Sequence, residues 1–188
     1  AMLDLVSNSM HGMPVPTLVG GAHAHVLSLR THHVHVHGLA FDGGQVAIDA
    51  KMPAMAMPHA MMGMVKHCTF EHQTTAAVQL RGTGTDETML MVHECEFEHL
   101  PVAFLLDDQT NSGMLMSENE HVHLHHVSLG CRIVENGVGG NMTMWSLFRS
   151  EFEHGTTLAE VRRTPTSAQQ CMLRIVHSNA HCSGDVLD

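Results

Sequence analysis

The sequence is short of positive charge. Only two lysines, Lys51 and Lys66, occur in 188 residues, and Lys and Arg together number 9 against 19 Asp and Glu, for a formal charge of −10 at pH 7. That is too little cationic surface to follow a phosphate backbone or an anionic bilayer, which argues against nucleic acid as a partner. No uninterrupted apolar run reaches the roughly 18 residues of a spanning helix, and no charged, apolar, small-residue leader opens the chain. The expectation is a soluble protein with no membrane span. The five cysteines (Cys68, Cys95, Cys131, Cys171 and Cys182) contain no Cys-x-x-Cys pair, which excludes a zinc ribbon and a thioredoxin-like motif. Two disulfides with one free thiol, or five reduced thiols, both remain open. A Gly-x-Ser-x-Gly elbow, a Gly-x-x-x-x-Gly-Lys phosphate loop and a His-Glu-x-x-His helix are all missing, which argues against standard hydrolases and nucleotide enzymes.

Against these absences, and with no tyrosine at all, stand 19 histidines and 16 methionines. Imidazole is a borderline ligand and thioether a soft one, and together they favour copper over magnesium or calcium. With 44% apolar residues, the chain is long enough to bury the core of one compact domain.

The hydropathy pattern is that of short strands. In His33-Val34-His35-Val36-His37 every second residue is His, the period of a strand with one wet and one dry face, and His121-Val122-His123-Leu124-His125 repeats it. Further strands are expected at 45–49, 76–80, 88–93, 102–106, 131–135 and 141–148. Gly43-Gly44, Gly82 to Gly84, Asn111 to Gly113 and Asn136-Gly137 lie between them as turn signals, the last suited to a tight hairpin. Many short strands with frequent turns predict a mainly β fold, an antiparallel sandwich or barrel that could be jelly-roll-like. No fixed repeat period stands out, although the two His-alternating strands read as related halves of a sheet. Residues 1–22, punctuated by Gly and Pro, read as an extended arm or edge, and 23–150 as the β domain. Residues 151–188 read as a helical or irregular segment packed on it. In that segment Thr157-Leu158-Ala159-Glu160 has the form of a capping box, and a second helix is expected over about 167–177.

Residues two apart on a strand point to one side, roughly 6.5 to 7 Å apart. His33, His35 and His37 therefore share a face, as do His121, His123 and His125, and neighbouring strands would present up to six imidazoles to one Cu(II) or Zn(II) ion. The plainer reading is that His supplies the polar side of an amphipathic strand. Clustered imidazoles that charge together near a pKa of about 6.5 would alternatively make a pH-sensitive interface. The segment 52–64 carries six thioethers and His59, broken by two prolines. Met55, Met57, Met61 and Met64 are its candidate Cu(I) ligands with His59, although such a cluster also serves as irregular packing.

The run Met52-Pro53-Ala54-Met55-Ala56-Met57-Pro58-His59, followed by strands ending in Met89-Leu90-Met91-Val92, is similar to small periplasmic copper-handling sandwich proteins of the FixH/YtkA type. It covers about 45 residues, and the aromatic residues expected in the later strands are absent. An ordered set of six residues (His32, His33, His93, His123, His125 and Met172), with Gly38-Leu39-Ala40-Phe41, resembles the copper monooxygenases that hydroxylate peptidylglycine or dopamine. There the three earlier His would hold an electron-transfer copper, and the two later His with Met172 the oxygen-activating one. The last intervals are shorter than that family's, and its two domains exceed this length.

The sequence thus reads as a copper-binding or copper-transfer protein, with zinc as the alternative metal. The rivals are a metal-dependent enzyme, either a copper oxidase or monooxygenase or a three-His zinc hydrolase, and a self-assembling β protein with His-rich interfaces. A homo-oligomer is compatible with each. The compartment stays open, the first resemblance leaning to a periplasmic or secreted setting.

Overall fold

The computed structural model describes residues 2–7, 14–51, 60–84, 87–110, 113–136, 142–164 and 170–184. Their elements are β1 (Met2–Val6), β2 (Thr17–Gly20), β3 (His25–Leu29), β4 (His33–His37), β5 (Ala40–Gly43), β6 (Val46–Lys51), β7 (Ala60–Lys66), β8 (Thr69–Glu71), β9 (Ala76–Gly84), β10 (Glu87–His93), β11 (Glu96–Thr110), β12 (Met114–Glu120), β13 (His123–Glu135), β14 (Met142–Phe148), β15 (Glu151–Gly155), β16 (Thr157–Arg163), β17 (Gln170–Val176) and β18 (Asn179–Cys182). Among the described residues there is no helix.

Among the described residues no strand pairs with the next one in sequence. Each pairs in parallel with a strand one coil further along: Ala60 with Glu87, Glu87 with Met114, Met114 with Met142, and Met142 with Gln170. In the first run the chain advances one layer every 27 or 28 residues from Ala60 onward, and it winds into a β-solenoid. Each turn has three straight runs. The first forms the sheet β1-β4-β7-β10-β12-β14-β17, and the second the order β2-β5-β8-β11-β13-β15-β18. The third contains β3, β6, β9 and β16, with β11 and β13 long enough to serve both the second and the third.

Winding makes each inward residue stack on its counterpart in the next turn. In the second run Phe41, Phe70 and Phe97 form a column with centroids 5.0 and 4.7 Å apart and planes within 14° of parallel. Leu124 and Phe152 extend it in register. In the first run alternation sends Val34, Val36, Met61, Val65, Leu90 and Val92 into the same core. In the first two runs the alternating pattern therefore buries one side of the strands, whereas β6 in the third run is buried at Val46 to Ala50 in succession.

The corners explain much of the histidine. Gly38, His67, Glu94, His121, Arg149 and His177 end the first run, and Gly43, His72, His99, His126 and His154 end the second, all at positive φ. His is among the non-glycine residues that enter this region most readily, and seven of the nine such residues here are His.

Several expectations are corrected. The sheets are parallel, so the fold is neither an antiparallel sandwich nor a barrel. Glycine-marked turns between short strands serve solenoid corners as well as hairpins, and only the pairing partner tells them apart. Gly43-Gly44 is a corner, and Gly82 to Gly84 lies inside β9. β14 pairs with β12 and not with β13 before Asn136. A fixed repeat does exist. The expected C-terminal helices are β16 and β17, because β13 and β14 offer open ladder edges that outweigh a local capping preference. β1 and β2 stand at the ends of the two sheets. All five cysteines are free thiols, and Cys68, Cys95 and Cys131 are buried.

Candidate metal centre

The inward placement of Leu124 and Phe152 turns His123 and His125 on β13, and Glu151 and Glu153 on β15, outward. Register then sets each imidazole between two carboxylates: Glu96, His123 and Glu151 in one row, Glu98, His125 and Glu153 in the next. His123 Nδ1 lies 3.2 Å from Glu151 Oε2. His125 Nδ1 lies 3.8 Å from Glu98 Oε1, and its Nε2 3.9 Å from Glu153 Oε2. These side chains line a depression of about 230 Å³.

Beside the second row the left-handed corners stack four imidazoles. Ring centroids are 5.9 Å apart for His72 and His99, 5.1 Å for His99 and His126, and 5.0 Å for His126 and His154, with planes within 17° of parallel. His125 meets this column edge-on, 4.4 Å from His126 and 5.0 Å from His154. Donor atoms of His125, Glu153 and His154 all lie within 4.8 Å of one another. Partial desolvation in the stack lowers the His126 pKa, followed by the like charges that His125, His154 and His99 would carry, with Glu98 opposing. Neutral imidazole is the form that ligates metal.

Two imidazoles and a carboxylate are a borderline-to-hard donor set suited to Zn(II) or Cu(II). Bonds of about 2.0–2.2 Å would bring tetrahedral donors to about 3.4 Å from one another, so an ion would draw these three inward. Glu98 and His126 flank the His125 ring.

The two His ladders do not meet. His33, His35 and His37 project from β4 in the first run, His123 and His125 from β13 in the second, and His121 is a corner residue. Met61 is fully buried in the core and is removed from the ligand set, whereas Met64 projects outward beside His35. Met55, Met57 and His59 lie outside the described residues. The six residues matched to the copper monooxygenases do not assemble: His32 and His33 belong to the first turns, His93 on β10 faces Glu120 at 3.4 Å, and Met172 lies on β17. Glu153 and His154 were not legible as ligands from the ladders, nor Glu98 and His126 as their neighbours. Their signal is the triplet Phe70-Glu71-His72, returning as Phe97-Glu98-His99 and Phe152-Glu153-His154, with Leu124-His125-His126 in the remaining layer.

Comparison with protein-family models, curated proteins and solved structures finds no match.

Proposed function

We propose that the protein binds a divalent transition-metal ion, Zn(II) or Cu(II), on the His–Glu edge of its solenoid. The observation that carries this is the convergence of His125, Glu153 and His154 within 4.8 Å. Carboxylates on both flanking strands support the reading, since Glu96, Glu98 and Glu151 raise the local cation concentration around the ligands. Three protein ligands leave a coordination position open, so the ion remains exchangeable or accessible to a small ligand.

Isothermal titration of Zn(II) and Cu(II) into protein purified without a metal-affinity step tests it. One tight equivalent is expected, weakened at least tenfold in His125→Ala/His154→Asn, where Asn keeps the corner conformation. Binding of equal strength and stoichiometry in that variant, or no binding to the wild type, overturns the proposal.

A further inference from the structure

The outward side of the first run carries an array of sulfur. In-register pairing lines up His33, Met62, Met89, Met116, Met144 and Met172 in one column across six strands. A neighbouring column begins His35, Met64, Met91, and Met114 and Met142 pair alongside. The alternating burial of β7, β10 and β12 leaves these thioethers at the surface. Met62 and Met172 are 44% and 47% exposed. Neighbouring strands lie roughly 4.8 Å apart, so cross-strand pairing sets His33 beside Met62 and His35 beside Met64.

Its N-terminal end is the part built for a ligand. His33, His35, Met62 and Met64 line a depression of about 120 Å³. The Asp4 carboxylate lies 3.9 Å from His35 Nδ1, while His35 Nε2 is buried with no hydrogen-bond partner. The carboxylate adds negative charge beside the ring, and the unpartnered nitrogen is the one able to ligate an ion. An unsatisfied buried nitrogen costs free energy that a bound ion would recover.

We infer that this depression binds a soft monovalent ion, Cu(I), through His35 and the thioethers of Met62 and Met64, with His33 at its rim. Thioether and imidazole select Cu(I) over Zn(II), calcium or magnesium. The site shares no residue with His125, Glu153 and His154, and it stands or falls separately from the divalent site.

The test uses the full chain with Cys171→Ala and Cys182→Ala, because these two thiols are incompletely buried and would compete for the ion. Anaerobic Cu(I) titration against bicinchoninate should show binding that weakens at least tenfold in Met62→Leu/Met64→Leu. Leucine keeps the apolar volume, and circular dichroism confirms the fold. X-ray absorption at the copper edge should show sulfur neighbours that the variant loses. His125→Ala/His154→Asn should bind Cu(I) as the parent does, which separates this site from the divalent one. No competition with bicinchoninate, unchanged affinity in the folded methionine variant, or nitrogen and oxygen neighbours alone would each overturn the inference.

Discussion

His126 and His154, one turn apart, stack with ring centroids 5.0 Å apart and planes 17° from parallel. Both sit at left-handed corners, with φ of 53° and 56°. The same backbone requirement that places a histidine at the corner thus brings imidazoles of successive layers face to face.

The stack makes stability depend on pH. In the unfolded chain an imidazole titrates near pH 6.5; in the fold His126 titrates lower, as does His37, through burial and then the neighbouring His67, His35 and Lys66. The unfolded state therefore binds more protons as acid is added, so stability is full above about pH 6.5 and falls as the pH drops through it, levelling below the folded values. Urea midpoints at pH 7.5 and 5.5 should show the loss, and His126→Asn should reduce it. A flat profile between those values would rule this out.

Phe97 stacks on Phe70 at 4.7 Å and lies tilted against Phe104 at 5.0 Å. Fully buried between layers, it cannot be replaced by solvent or by motion of a flexible neighbour. Phe97→Ala should cost about 3–5 kcal/mol, read by chemical denaturation, whereas Phe97→Leu, which matches Leu124 in the same column, should cost markedly less.

Asp49 is fully buried and gathers cations from two neighbouring turns. Arg81 Nε donates to Oδ1 at 2.8 Å, the Nη2 groups of Arg30 and Arg81 both donate to Oδ2, and His25 Nδ1 lies 3.2 Å away. Burial pushes its carboxyl up, but the two guanidinium groups outweigh that and hold it below its usual value. Asp49→Ala should cost toward the lower side of roughly 3–5 kcal/mol, because the arginines keep some contact with water. The stability this carboxylate supplies is present above about pH 4 and is lost as the pH falls through its lowered pKa, a window separate from that of the histidines.

Gly155 follows His154 and leaves no room for a side chain. A Cβ there would lie 2.0 Å from Phe152 Cζ and 2.5 Å from the Val127 carbonyl oxygen. Gly155→Ala should destabilise by about 1–3 kcal/mol and weaken Zn(II) binding, since displacing this corner moves His154. Adding Phe152→Leu should recover only part of the stability, because the Val127 oxygen belongs to the backbone. Differential scanning calorimetry of the two variants measures both effects.

The sequence by itself determined where the His-alternating strands form and which side of each is dry. Alternation of Val with His over 33–37, and of Leu with His over 123–125, follows from the two-residue period of an extended chain and needs no partner to be read. It also held the repeat, in the Phe-Glu-His triplets, and the preference of histidine for left-handed corners. What only the tertiary structure decided is which strands pair. A glycine or histidine corner is chemically the same whether the chain turns back on itself or climbs to the next layer, so hairpin and solenoid look alike until register is known. The candidate metal centre depends wholly on that register. His125 and Glu153 are 28 positions apart in the chain, and become neighbours because one turn of the coil takes that many residues.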